Sequence, residues 1–172
     1  MNEVLQNMMA RRSCRSFEAA QVAPAALDEI LNAGLYAASG MGKQSPVLVA
    51  VQDAETVREL SRLNAAVMGT AGDPFYGAPT VVVVLAEESA RTWVEDGSLA
   101  IGNMMNAAES LGVASCWIHR AREVFDSDAG KALLRKWGVP EGYRGVGNCI
   151  LGYRKGEKPE AAPRKDGRVY RV

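Results

Sequence analysis

The chain has 172 residues, 48% of them hydrophobic and 23% charged, with 20 Lys and Arg against 20 Asp and Glu. That size and mixture suit one globular domain over 1–172 with a real core. A formal net charge of zero excludes nucleic-acid binding driven by a cationic surplus, though not a local basic pocket for one small anion. A single histidine (His119) and three distant cysteines (Cys14, Cys116, Cys149) exclude a multi-histidine zinc site and offer neither a disulfide framework nor a C-x-x-C pair. The opening residues MNEVLQNMMARR hold no secretory apolar run, and no stretch reaches the ~18–20 apolar residues that cross a bilayer, so a cytoplasmic protein is expected.

Val4, Leu5, Met8 and Met9 recur at helical spacing and predict a short amphipathic first helix, followed by the basic segment Arg11-Arg12-Ser13-Cys14-Arg15-Ser16-Phe17. Pro24 reads as a first-turn proline, and Leu27, Ile30, Leu31 and Leu35 mark a second helix. After a small-residue loop, Ala37 to Gln44, the run Val47 to Val51 suits a strand buried on both faces. Asp53 is an N-cap candidate for a third helix with Val57, Leu60, Leu63 and Val67. A second buried strand spans Thr80 to Ala86, and Asp96 reads as the cap of a long helix ending at Gly112, apolar on nearly every side and so central. A strand from Val113 to Ile118, a helix with Leu133, Leu134 and Trp137, and a strand from Val146 to Leu151 complete the order. Residues 152–172 form a charged, proline-containing tail with too little apolar content to fold alone. The pattern is α/β or α+β, with a small sheet and much helix. A central apolar helix and an unanchored tail point to a homodimer that covers both.

The segment Arg11 to Arg15 carries three guanidiniums and a hydroxyl within five residues. Guanidinium forks match phosphate oxygens, and Ser13 adds a short donor, yet alone the cluster reads more readily as a solvated basic turn. The loop Ser39-Gly40-Met41-Gly42-Lys43-Gln44 allows close backbone approach to a ligand or is a plain connector. It follows a helix and precedes a strand, which is the wrong order for a dinucleotide fingerprint, and it lacks the phosphate-loop ending. Cys116 and His119 are three apart in an expected strand, on opposite faces, so they form no dyad. No G-x-S-x-G elbow is present, which removes triad hydrolysis. Asn64 sits at the polar edge of its helical stripe, where an amide is ordinarily a satisfied surface group, and Arg164-Lys165 suit a soluble tail.

Taken in order, these segments resemble the nitroreductase family of FMN-dependent oxidoreductases. R-R-S-C-R-S-F is similar to the family's phosphate-holding segment, and A-A-S-G-M-G-K-Q-S-P to its loop before the first strand. Y-G-A-P-T-V-V-V-V resembles its "AP" entry into a strand. Asp96 to Ile118 resemble its long helix and following strand, and L-G-Y with A-P-R-K its close. The resemblance implies an α+β, α/β/α layered fold, with a small mixed sheet surrounded by helices and a C-terminal tail reaching the partner subunit. It implies that Arg11, Ser13 and Arg15 contact the FMN phosphate with Arg12 nearby, and that Ser39 lies beside the isoalloxazine. Asn64 would bond its pyrimidine side. Ser115, Cys116, Trp117, Ile118 and His119 would supply backbone contacts near the ring, and Arg164 and Lys165 would reach the phosphate. No residue is expected to act as acid, base or metal ligand, because the flavin carries the chemistry between NAD(P)H and a small electron-poor acceptor. Ala38, Gly42 and Ser45-Pro46 depart from the family pattern and bear on the substrate pocket. Rival readings are a specialised flavin enzyme on the same scaffold, a flavin-storing or redox-sensing module, and a colourless CoA- or nucleotide-binding transferase.

Overall fold

The computed structural model describes residues 1–172. In chain order it contains α1 (Glu3–Ala10), α2 (Pro24–Leu35), β1 (Pro46–Val51), α3 (Ala54–Met68), β2 (Thr80–Glu87), α4 (Trp93–Ser110), β3 (Ala114–Ile118), α5 (Ala121–Asp126), α6 (Asp128–Lys136) and β4 (Tyr143–Gly152). The strands form one sheet in the order β1-β2-β4-β3, every neighbouring pair antiparallel. The expected mixture of strand directions reduces to a single parallel bridge, Ser13 to Ser115.

The alternation of side chains along β2 organises the layers. Val81, Val83 and Leu85 enter one core with Val57 and Leu60 of α3, Phe125 of α5 and Leu133 and Leu134 of α6. Val82, Val84 and Ala86 enter the other with Leu27 and Ile30 of α2 and Ile101, Met104 and Ala108 of α4. The sheet is therefore covered by helices on both faces, the layered α+β arrangement expected. Gly97 lets α4 close onto the sheet, since a Cβ there would lie 2.6 Å from Val146 Cγ2. No helix is long and apolar enough to cross a membrane.

The structure corrects three of the element readings and bears out a fourth. β1 is an edge strand whose residues 46–49 are only half-buried and whose Ala50 is exposed, because only β2 pairs with it. The helix predicted around Leu133 is preceded by a separate short one, α5, joined through Ser127, which caps α6 by accepting from Gly130 N. α4 begins at Trp93, so Asp96 is a buried residue of its first turn rather than its cap. α1 forms as predicted, with Asn2 as its cap, but it buries none of its residues: Val4, Leu5, Met8 and Met9 are all exposed.

Candidate functional site

Beyond α1, residues 13–18 run extended between two strand ends. Cys14 N donates to Ser115 O at 2.9 Å, Glu18 N to Tyr153 O at 2.8 Å, and Lys155 N to Ser16 O at 3.0 Å. Cys14 and Phe17 point into the core, which leaves Arg11, Arg12 and Ser13 half-buried and Arg15 at the surface. The Arg15 guanidinium lies 6.0 Å from the centre of the Tyr76 ring. Arg12 turns Nη1 back onto Met9 O and Arg11 O, at 2.7 and 2.6 Å, and so closes the end of α1. Arg154 Nη2 donates to Arg12 O at 3.3 Å and brings a further guanidinium to the cluster. The sequence reading missed it because Arg154 is one charge among many in the segment taken as tail.

Three buried polar atoms have no hydrogen-bond partner: Arg11 Nη1, Arg12 Nε and Ser115 Oγ. All belong to predicted site residues, and the Ser13–Ser115 bridge draws their segments together. Leaving such a group dry and unpaired costs about 1–3 kcal/mol, more for a charged one, so the cluster has the chemistry of an anion site awaiting acceptor oxygens. A phosphate-bearing group with further polar edges fits these donors.

The other end of β3 is held differently. Asn64 is 1% exposed, which corrects the surface position read from its helical stripe. Its Nδ2 donates to His119 O at 2.8 Å, and its Oδ1 accepts from Arg120 Nε at 3.0 Å. The amide therefore joins α3 to the turn after β3. Along that strand Ser115, Cys116 and Ile118 are buried, Trp117 is half-buried, and His119 is exposed just beyond the strand end. Burial and the neighbouring Cys116 push the Cys149 thiol up to about 12, against the opposing charge of Arg11. All three cysteines are packed into the cores, Cys14 and Cys116 in one and Cys149 in the other.

Ser39 opens the small-residue loop, and its Oγ accepts from Gln44 N at 2.9 Å. Asp96 anchors the loop by accepting from Gly40 N at 2.9 Å and Ser45 Oγ at 2.7 Å. Burial raises the Asp96 pKa, but the hydrogen bonds from Ser45, Gly40 and Thr92 outweigh it and hold the carboxyl below its ordinary value. The loop's bonds run to α4, not to the Arg11–Arg15 segment. Arg164 and Lys165 lie in an exposed tail and form no ion pair within the chain. The tail's one ion pair is Lys158 with Glu109 of α4. A cavity of about 710 Å³ between α3 and residues 70–79 contains none of the predicted site residues. No group of three or more His, Cys, Asp and Glu side chains is placed to hold a metal ion.

The model of the family described as the nitroreductase family matches residues 8–72 and 63–153. A protein of Archaeoglobus fulgidus with the provisional name NADH dehydrogenase/NAD(P)H nitroreductase is 30% identical over 164 residues, covering 92% of this chain and 89% of its own. A crystal structure of a nitroreductase with bound FMN from Bacteroides fragilis superposes with a TM-score of 0.92 at 34% identity, covering 100% of both chains. Another FMN-bound nitroreductase, from Desulfitobacterium hafniense, gives 0.88 at 28% identity over 99% of this chain and 98% of its own.

Proposed function

The chain belongs to the nitroreductase family, and from that premise we propose that it is an NAD(P)H-dependent oxidoreductase that holds FMN in the cluster around Arg11 and along β3. The observation that carries this reading is the set of unpaired buried donors, Arg11 Nη1, Arg12 Nε and Ser115 Oγ. Arg11, Ser13 and Arg15 would hold the phosphate, with Arg12 and Arg154 shaping the pocket by their bonds to the α1 end. Guanidiniums stay charged at every physiological pH, so phosphate capture needs no proton uptake. The main chain from Ser115 to His119 would flank the ring, its course set by the ladder to β4 and by Asn64. FMN, when bound, supplies the hydride and electron chemistry between NAD(P)H and the second substrate. The protein's own work is to bind, orient and leave one face open. A planar, electron-poor acceptor such as a nitroaromatic or quinone suits that arrangement.

The site would be completed by a second copy. Val4, Leu5, Met8 and Met9 on α1, Tyr36 after α2, Met41 in the loop and Leu99 on α4 are all exposed apolar groups that a second copy would cover. A homodimer that covers them would let Ser39 of one protomer and the Arg164–Lys165 tail contribute to a shared site. The test is the absorbance spectrum of the purified protein, followed by identification of the released chromophore. A yellow protein that releases FMN and bleaches with NAD(P)H under anaerobic conditions is expected. Colourless protein that takes up no FMN on titration refutes the reading, and a monomeric mass by light scattering refutes the shared site.

A further inference from the structure

We propose that Arg120 is the residue that sets the reduction potential of the bound flavin, with Asn64 as its positioning residue; the proposal rests on the FMN reading above. Arg120 follows β3 with φ 75° and ψ 10°, in the left-handed region that glycine occupies freely and a side chain resists. A strained arginine where a glycine would fit suggests that the side chain is kept for its own sake. Its Nε donates to Asn64 Oδ1, and Asn64 in turn holds His119 O, so strand end and guanidinium are fixed by one buried amide.

The nature of that partner matters. The chain's ion pairs are Arg144 with Glu88, Arg144 with Asp126, and Lys158 with Glu109, so no carboxylate meets Arg120. An amide orients the guanidinium without neutralising it, and neither Nη group is sealed from solvent without a partner. Arg120 thus presents a directed, uncompensated positive charge. It stands beyond one end of β3, whereas the Arg11–Ser13 cluster meets that strand at Ser115, roughly 16 Å of extended chain away. One charge centre serves the phosphate end and the other the redox end. Hydride transfer from NAD(P)H releases NAD(P)⁺ and delivers two electrons with one proton, so the cofactor gains one negative charge. A fixed cation beside it favours the reduced form.

The experiment measures the midpoint potential of FMN bound to the protein, wild type against R120G, R120K and R120Q, together with the melting temperature of each apoprotein. R120G is expected to weaken the preference for reduced over oxidised FMN by roughly tenfold, which for a two-electron couple is ~30 mV more negative. R120K, which keeps the charge, should stay within about threefold of wild type. R120Q, which keeps a side chain of similar length without the charge, should fall like R120G and serves where R120G does not retain FMN. In apo R120G the relief of the positive φ is set against the loss of the donor to buried Asn64 Oδ1, so its melting temperature establishes that the variant is folded before its potential is read. Equal potentials in wild type and folded R120G or R120Q overturn the assignment, as does R120K falling as far as R120G. A wild type that takes up no FMN overturns the functional reading and this proposal with it.

Discussion

Replacing Arg11 with methionine should separate the stability of the empty protein from its hold on FMN. Arg11 is half-buried with Nη1 dry and unpaired. Methionine keeps much of the side chain's length and packing while deleting the unsatisfied donor, so the apoprotein should lose less than about 1 kcal/mol or gain slightly. With ligand the sign reverses. One charge-assisted hydrogen bond to phosphate contributes about 2 kcal/mol, so FMN affinity should fall roughly 30-fold. At FMN 100 times the wild-type Kd, binding stabilises the wild type by about 2.7 kcal/mol. The same FMN concentration is only about three times the variant's Kd, and the gain shrinks to about 0.9 kcal/mol. For a chain of this length the FMN-induced rise in Tm should drop from about 5–11 °C to about 2–4 °C. Differential scanning fluorimetry with and without FMN, beside fluorescence-quenching titration, measures both arms. An apo R11M that melts far below wild type, or one that keeps the full FMN-induced shift, refutes the view that this nitrogen is reserved for an anion.

Three further outcomes are expected. Asp96→Ala should remove the acceptor for Gly40 N and Ser45 Oγ, costing about 3 kcal/mol in urea unfolding. Because the folded pKa of Asp96 lies below its ordinary value, its stabilisation is present above the unfolded value of about 3.9 and is lost as pH falls through the lower folded one. Asp96→Asn should flatten that part of the acid-unfolding curve, and an unchanged acid limb would count against the anchor. Gly130→Ala would put a Cβ 2.0 Å from Val124 O at the α5–α6 junction. Backbone cannot yield there as a side chain can, so a loss of more than about 2 kcal/mol is expected by chemical denaturation. The Cys149 thiol is fully buried and its burial pushes its pKa up, so it is held as the unreactive thiol. Ellman's reagent should therefore label it only in denaturant, and rapid labelling of Cys149 in the native protein contradicts its burial.

How far the sequence could be read depended on where each residue's partners lie. β2 was legible because its valines satisfy both cores, whereas β1 looks the same in sequence and differs only in having one neighbour. Asp96 has the look of a cap, and only contacts 51 and 56 residues away in the chain reveal an anchor for the loop. Asn64 lies on the polar margin of its own helix, but the turn after β3 folds over it and buries it. The basic segment announced a candidate anion site through its density of arginines. Nothing in its pattern disclosed that Arg12 closes α1 or that Arg154 joins it, because hydrogen bonds to carbonyl oxygens leave no compositional trace.

Residues 13–18 are stitched to Ser115 on one side and to Tyr153 and Lys155 on the other. The arginines therefore take up their places only after segments more than a hundred residues further along have folded, and the basic cluster is assembled with the sheet rather than ahead of it.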